Sequence, residues 1–228
     1  MAGLIAALDT TDVARATAWA DQVAPHCGLV KLGLEYVLAN GADGLRAVGD
    51  LPVFLDLKFH DIPNTVAGAV RAVLPWRPRM LTLHAAGGAA MVAAARRAAE
   101  QAGADRPLLL AVTVLTSLDA AALAATGVTA TPLEQVLRLG RLAMDAGADG
   151  LVCSAHEVPA LRAVLDKTAL LVVPGIRPAG FPSGDQARTM TPREAADAGA
   201  DWLVVGRPIT AAPDPAAAAA AIAAELAD

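Results

Sequence analysis

Short apolar runs separated by longer amphipathic stretches dominate the pattern of the chain. The runs are rich in Val, Leu and Ile, as expected for strands buried on both faces of a parallel sheet. They are Leu4–Leu8, Leu29–Leu32, Val53–Leu57, Met80–Leu83, Leu108–Leu115, Leu151–Cys153, Leu170–Val173 and Trp202–Val205. Stretches of helical periodicity lie between them, as in Thr11–Val23, Met91–Ala102 and Leu133–Ala146. The pattern therefore predicts that strands and helices alternate along the chain.

Recurring turn sequences support this alternation. Three linkers read Gly-Ala-Asp: Gly103-Ala104-Asp105, Gly147-Ala148-Asp149 and Gly199-Ala200-Asp201. In each, glycine can take the left-handed conformation that ends a helix, and a strand follows within a few residues. Near the C-terminus, Asp214-Pro215 reads as an N-cap followed by proline at the first helical position. We therefore expect a terminal helix over Ala216–Leu226.

The number of elements narrows the fold class. Strand-like runs alternating with helices in 228 residues predict an α/β protein, a (β/α)₈ TIM barrel in which residues 1–228 form one domain. The alternative is a doubly wound parallel sheet. No Gly-x-Gly-x-x-Gly sequence follows the first strand, and that weighs against a dinucleotide-binding sheet.

Composition limits the core, the compartment and the partners. Apolar residues make up 55% and aromatic residues 3%, so the core must consist largely of Ala, Val and Leu. A net charge of −5 without a run of like charge argues against nucleic acid as a partner. Cys27 and Cys153 form no disulfide framework. The N-terminus lacks signal-peptide features, and no stretch reaches ~18 apolar residues. We expect a cytoplasmic protein without membrane contact.

Charged residues stand where a barrel carries its active site, at the C-terminal ends of the strands. Asp9 follows the first strand, Lys31 lies in the second, and Asp56, Lys58 and Asp61 end the third. Two of the three lysines in the chain thus occupy strand ends, although it has 18 basic residues. Lysine, unlike arginine, can donate its proton at accessible cost. The placement therefore predicts proton chemistry.

The third strand places carboxylates around an ammonium. Asp56 and Lys58 are two residues apart, so their side chains share a face of the strand, and Leu57 turns toward the helices. Asp61 follows just beyond. The structural alternative is a buried ion pair that closes the barrel. Asp9 and Lys31 on neighbouring strands weigh against it, because so many charges are costly to bury without a task.

The last two strands are predicted to bind an anion. Barrels commonly bind phosphate with the loops after strands seven and eight and a short helix N-terminus. Gly206-Arg207 offers backbone amides and a guanidinium, and Arg177 ends strand seven. Pro178–Arg188 lacks apolar periodicity and fits a lid carrying Gln186; the alternative is an ordinary surface loop. The scattered histidines and cysteines show no zinc-site spacing.

At these residues the chain resembles the orotidine 5′-phosphate (OMP) decarboxylase family. Asp56–Thr65, which reads Asp-Leu-Lys-Phe-His-Asp-Ile-Pro-Asn-Thr, is similar to the signature of the family. Further similar segments follow in the family's order across nearly the whole chain. They are Ala7–Asp9, Val30–Gly33, His84–Gly88, Val114–Ser117, Pro174–Arg177 with Asp185-Gln186, and Val205–Thr210.

The resemblance implies a reaction and an assembly. The reaction is decarboxylation of OMP to UMP, the last step of de novo pyrimidine synthesis, without metal or other cofactor. Lys58 would protonate the C6 carbanion as carbon dioxide leaves, with Asp56 against the departing carboxylate. Asp61 would come from the partner subunit of a homodimer with composite active sites.

The resemblance also implies which residues hold the substrate. Asp9 and Lys31 would bind the ribose hydroxyls, and Thr65 would assist from across the dimer. Thr116 would contact the pyrimidine, a position for which Ser117 also qualifies. The phosphate would be held by Arg207, the amide of Gly206 and Gln186, with Arg177 near the lid.

Three other functions compete with this prediction. Sister barrels with the same Asp-x-Lys-x-x-Asp pattern are magnesium-dependent sugar-phosphate decarboxylases or hexulose-phosphate synthases, but they carry an acidic metal ligand where this chain has Lys31. A Schiff-base aldolase could use Lys58. A silent nucleotide-binding barrel would need none of Lys31, Asp56, Lys58 and Asp61, so their presence argues against it.

Overall fold

The computed structural model describes residues 2–181 and 189–227, and within them eight parallel strands close into a barrel. Each strand pairs with the next in sequence, and β8 pairs with β1. The strands are β1 Gly3–Ala7, β2 Leu29–Gly33, β3 Val53–Phe59, β4 Met80–His84, β5 Leu108–Val112, β6 Gly150–Val152, β7 Leu170–Val173 and β8 Trp202–Val205. The predicted TIM barrel is confirmed, and every predicted run overlaps a strand.

Helices fill the connections between the strands, as the alternation predicted. They are α1 Val13–Val23, α2 Leu34–Ala47, α3 Pro63–Val73, α4 Ala89–Ala99, α5 Ala120–Ala125, α6 Pro132–Asp145, α7 Val158–Val164, α8 Pro192–Asp197, α9 Arg207–Thr210 and α10 Pro215–Ala227. None of the helices in the described ranges is long and apolar enough to cross a bilayer.

The core has two layers that follow from strand alternation. Ile5 and Ala7 of β1 point into the barrel, where they pack with Phe54 and Met80. Leu4 and Ala6, their neighbours along β1, join the layer between the strands and the helices. That outer layer is built mainly from Ala, Val and Leu, as the shortage of aromatic residues predicted.

Helix ends follow the sequence signals closely. Asp214 caps α10, where its carboxylate accepts a hydrogen bond from the Ala217 amide at 3.0 Å. The three linker glycines all have positive φ, which is 58° at Gly103, 98° at Gly147 and 104° at Gly199. Glycine reaches these angles without the steric cost that a Cβ would add. The predicted turns are therefore where the sequence placed them.

One strand is shorter than predicted. The apolar run from Leu108 to Leu115 contains a strand that ends at Val112. Val114, Leu115 and Thr116 then line the cavity at this end of the barrel. The apolar run continues past the strand because these residues form part of a cavity wall, not because the ladder continues.

Candidate active site

A cavity of about 280 Å³ opens at the C-terminal ends of the strands. Eight of the eleven predicted site residues line it: Asp9, Lys31, Asp56, Lys58, Thr116, Arg177, Gly206 and Arg207. They come from the ends of different strands, so the barrel gathers residues that are far apart in sequence. Thr116 lines the wall, whereas Ser117 is exposed outside the cavity lining.

The other three predicted residues lie elsewhere. Asp61 is exposed in the turn after β3, and its Oδ1 accepts a hydrogen bond from the Ile62 amide at 2.6 Å. Thr65 is exposed in the first turn of α3. Gln186 lies outside the described residues, as does most of the predicted lid. Asp61 and Thr65 therefore do not contribute to the cavity of their own chain.

The end of β3 is irregular. Leu55 pairs with Leu81 of β4, but the next pair is Phe59 with Leu83, so the register shifts between them. Lys58 has φ of 49°, a left-handed conformation that costs a non-glycine residue about 1–3 kcal/mol. Simple alternation predicted that Asp56 and Lys58 share a face. They do meet, but through this bulge instead of a regular strand.

Four charges alternate in sign along the cavity wall. The Lys58 ammonium lies 2.8 Å from both carboxylate oxygens of Asp56. The Lys31 ammonium lies 3.0 Å from Asp9 Oδ1 and 3.7 Å from Asp56 Oδ2. The negative charges of Asp9 and Asp56 therefore balance the positive charges of Lys31 and Lys58 within one chain. Lys31 lies between the two carboxylates.

The environment keeps Asp56 ionised. Burial by itself raises the pKa of its carboxyl, but the charges of Lys31 and Lys58 and hydrogen bonds from Lys58 and Thr82 outweigh it. The pKa of Asp56 therefore lies below its ordinary value. A carboxylate that stays charged beside an ammonium in a half-closed cavity makes a strong local field.

Thr82 belongs to this array, although sequence reasoning missed it. Its side chain is fully buried on β4. Its Oγ1 accepts a hydrogen bond from the Lys58 amide at 2.9 Å and donates one to Asp56 Oδ1 at 2.9 Å. The only signal in the sequence was a polar residue inside the apolar run Met80–Leu83.

Two histidines flank the same end of the barrel. The rings of His60 and His84 lie 5.3 Å apart, centroid to centroid. Burial and the nearby charges of His60 and Lys58 lower the pKa of His84, although Asp56 acts in the opposite direction. These effects favour the neutral form of His84 beside Lys58.

Two guanidiniums, of Arg177 and Arg207, add a cationic part to the cavity lining. Arg177 is 8% exposed, and its amide donates to the Met190 carbonyl at 3.0 Å. Burial and the positive charge of Arg207 both lower the pKa of Arg177. Guanidiniums form charge-assisted hydrogen bonds with phosphate and carboxylate groups, so two of them in one cavity lining suit an anion.

Apolar side chains complete the wall, among them Phe54, Val112 and Val152. Such a lining strengthens the interactions between the charges it encloses. Within residues 2–181 and 189–227, no group of three or more His, Cys, Asp or Glu side chains is arranged to hold a metal ion. The two carboxylates in the cavity are instead hydrogen-bonded to lysines.

The chain as a whole matches a known protein family. Residues 3–222 match the family model described as "Orotidine 5'-phosphate decarboxylase / HUMPS family". A protein of Gluconobacter oxydans named orotidine 5′-phosphate decarboxylase is 57% identical over 228 residues, covering 98% of this chain and 97% of its own length. A protein of the same name from Anaeromyxobacter sp. is 57% identical over 225 residues, with coverage of 98% and 97%.

Solved structures give the same result. The crystal structure of orotidine 5′-phosphate decarboxylase from Lactobacillus acidophilus superposes with a TM-score of 0.88 and 36% identity, covering 100% of both chains. The enzyme of that name from Pyrococcus horikoshii superposes with a TM-score of 0.81 over 99% of both chains at 24% identity, a likeness of fold alone.

Proposed function

The chain belongs to the orotidine 5′-phosphate decarboxylase / HUMPS family. We propose that it converts OMP to UMP, the last step of de novo pyrimidine synthesis. The observation that carries the proposal is the alternating array of Asp9, Lys31, Asp56 and Lys58 in the cavity. It brings an ammonium with a transferable proton to the place where a barrel enzyme binds substrate.

The chemistry explains why an ammonium is needed. When the bond between C6 and the carboxylate carbon breaks, carbon dioxide leaves and the electron pair stays on C6. This vinylic carbanion lies in the ring plane, where no ring orbital stabilises it well. The Lys58 ammonium would stabilise the developing charge and then transfer a proton to C6, an interaction realised mainly in the transition state. The resulting amine regains its proton from solvent.

Asp56 has two roles in this proposal. Both oxygens of its carboxylate accept hydrogen bonds of 2.8 Å from the Lys58 ammonium and so fix its position. It would also lie against the departing substrate carboxylate and disfavour the bound ground state. We assign the larger contribution to Lys58, because electrostatic stabilisation of a developing charge by a fixed group is commonly the larger effect.

The remaining lining residues would hold OMP in place. Asp9 and Lys31 suit the ribose hydroxyls, and Thr116 the pyrimidine. The phosphate would lie between the guanidiniums of Arg177 and Arg207, with the Gly206 amide and Gln186. Because the phosphate is remote from C6, its binding energy can serve to close the site and expel water.

We also propose that the reaction uses neither metal nor other cofactor. A hard divalent cation needs several oxygen ligands, whereas Asp9 and Asp56 already pair with Lys31 and Lys58. The Lys31 ammonium, 3.7 Å from Asp56, would repel a cation in this part of the cavity. This feature separates the chain from the magnesium-dependent sister activities.

The active unit in this proposal is a cytoplasmic homodimer. Asp61 and Thr65 are exposed and outside the cavity of their own chain. Ile62, between them, exposes 66% of its surface, so this turn is open to contact with a second chain. We propose that this turn enters the neighbouring subunit and brings Asp61 to Lys58 there.

The test follows the loss of OMP absorbance with purified protein, with and without EDTA. We expect turnover that EDTA leaves unchanged. Lys58→Ala should abolish turnover and change UMP affinity by less than about tenfold, since its role lies in the transition state. Loss of turnover with EDTA and recovery with magnesium would instead assign a sister activity. UMP binding without any turnover would indicate a silent nucleotide-binding barrel.

A further inference from the structure

The backbone of Lys58 lacks the support that a regular strand would give it. The pairing of β3 with β4 is interrupted between Leu55 and Phe59, and Lys58 lies inside the interruption with φ of 49°. A left-handed non-glycine residue persists only where its surroundings hold it. Something in this part of the fold must therefore fix Lys58.

Thr82 provides that support from the neighbouring strand. Its Oγ1 accepts a hydrogen bond from the Lys58 N–H at 2.9 Å, so a side-chain oxygen serves as the acceptor where the backbone pairing is interrupted. The same Oγ1 lies 2.9 Å from Asp56 Oδ1. Because a backbone N–H can only donate and a carboxylate can only accept, the direction of both hydrogen bonds is fixed by chemistry.

The two hydrogen bonds close a ring of interactions. Lys58 is held at its backbone by Thr82 and at its ammonium by Asp56, and Thr82 also holds Asp56. Thr82 is fully buried, so water cannot substitute for its hydroxyl without a change in packing. Thr82 is not one of the residues that line the cavity.

We propose that Thr82 is a positioning residue for decarboxylation, which fixes the left-handed backbone of Lys58 and the carboxylate of Asp56 so that the ammonium points at the reacting carbon. This inference rests on the proposed function. A displacement of about 1 Å at a reacting group can cost about a hundredfold in rate, so one hydroxyl can matter without contacting substrate.

The experiment compares kcat and KM for OMP, and the Kd for UMP, in four proteins. Thr82→Val keeps the shape and removes the hydroxyl, and Thr82→Ser keeps the hydroxyl. Thr113→Val is the matched control, because Thr113 is also a buried threonine. It directly follows β5, and its hydroxyl donates a hydrogen bond to the Val152 carbonyl at 3.2 Å. The fourth protein is the wild type.

Positioning predicts a specific pattern. Thr82→Val should lower kcat by about ten- to a hundredfold and leave KM and the UMP Kd within about threefold, because the ribose and phosphate contacts remain. Thr82→Ser should recover kcat to within about threefold of the wild type, and Thr113→Val should match the wild type.

Other results would overturn the inference. If the wild type turns over OMP and Thr82→Val has the same kcat, Thr82 has no role in positioning, and the proposed function still stands. Parallel loss of kcat and UMP affinity without recovery in Thr82→Ser would indicate a general structural role. If Thr82→Val does not fold, Thr82→Ser and Thr82→Ala decide, since they differ in the hydroxyl alone; equal kcat values in this pair would overturn the proposal. A wild type without turnover would refute the proposed function itself.

Discussion

Lys58 combines a reactive side chain with a strained backbone. Its ammonium is held by both oxygens of Asp56, while its φ of 49° places it in the left-handed region. Strain of this kind is common where the surrounding structure fixes a functional group in a defined position. The backbone of Lys58 therefore lowers the stability of the fold locally, while its ammonium is held in a fixed position.

This strain predicts an unusual order of stability. Lys58→Gly and Lys58→Ala both remove the ammonium, but only alanine keeps a Cβ in the left-handed region. We expect Lys58→Gly to be more stable by about 0.5–1 kcal/mol, or about 1–4 °C in melting temperature. Thermal unfolding of the two variants tests this.

The neighbouring position supplies the control for that comparison. Leu57 has no positive φ, so Leu57→Gly should be less stable than Leu57→Ala, as in any strand. If glycine is the less stable substitution at both positions, the backbone of Lys58 is not strained.

The charged residues of the site could be predicted from the sequence, whereas the bulge and the Thr82 hydrogen bonds that hold them could not. Asp56 and Lys58 stand out because charges are rare inside apolar runs. The bulge left no trace, because a shift of register changes hydrogen bonds without changing the apolar pattern. Thr82 escaped notice for the same reason, since its partners exist only once β3 departs from regular pairing.

The linkers show how one sequence pattern can produce two structures. Asp149, just before β6, accepts the Leu109 amide of β5 at 2.8 Å, and Arg96 donates to it from α4 at 3.0 Å. Asp201, just before β8, accepts the Leu171 amide of β7 at 2.7 Å. Its ion-pair partner is the Arg162 guanidinium from α7. In both cases the aspartate connects an arginine of a helix to the beginning of a neighbouring strand at the N-terminal end of the barrel.

The third linker lacks this arrangement, because Asp105 is exposed at the end of a 3₁₀ turn. The Gly-Ala-Asp sequence predicted the three turns correctly. It could not predict which aspartate meets an arginine, since Arg96 of α4 and Arg162 of α7 come from helices earlier in the chain than the one before each linker.

The linker aspartates predict a difference in stability. Asp149→Asn should lower the free energy of unfolding at pH 7 by about 3 kcal/mol, because it removes the charge that pairs with both Arg96 and Arg106. Asp105→Asn is the matched control and should stay within about 0.5 kcal/mol of the wild type. Urea unfolding measures both; similar losses in the two variants would show that Asp149 has no special role.

The same aspartate predicts a pH dependence. Burial raises the pKa of Asp149, but hydrogen bonds from Arg106 and the Leu109 amide and the nearby charges outweigh it, so the pKa is lowered overall. The unfolded state then binds more protons as the pH falls through the ordinary value of 3.8. The stabilisation is therefore present above that pH and is lost below it. The gap between wild type and Asp149→Asn should shrink from pH 6 toward pH 3, and a constant gap would contradict the assignment.

The short helix α9 predicts how the phosphate contributes. Arg207 begins this helix and lines the cavity. Arg207→Ala should therefore reduce kcat/KM far more for OMP than for the nucleoside that lacks the phosphate, because only the whole substrate uses the guanidinium. Arg97→Ala, on an exposed position of α4, is the control. Equal losses on both substrates would mean that Arg207 serves the fold.

For the molecule as a whole, the fold was more predictable than the assembly. Strands buried on both faces give continuous apolar runs, and each of these runs overlaps a strand of the barrel. Assembly leaves a weaker signal, because Asp61, Ile62 and Thr65 are ordinary exposed positions when one chain is considered alone. Only the resemblance implied that the turn after β3 serves a second subunit.

Shared active sites can be tested by mixing two inactive variants, Lys58→Ala and Asp61→Ala, after reversible dissociation. In a mixed dimer with composite sites, one site collects both defects and the other collects none. Equal amounts and random pairing make half of the dimers mixed, so roughly a quarter of wild-type activity should return.

If each site were built from one chain, every site would keep one defect and mixing would restore nothing. Mass spectrometry must first show that mixed dimers form, and a mixture of Lys58→Ala with itself supplies the baseline. Mixed dimers without recovered turnover would remove Asp61 from the partner's site. The Lys58–Asp56 pair would be unaffected by that result, because both residues and Thr82, which joins them, lie within one chain.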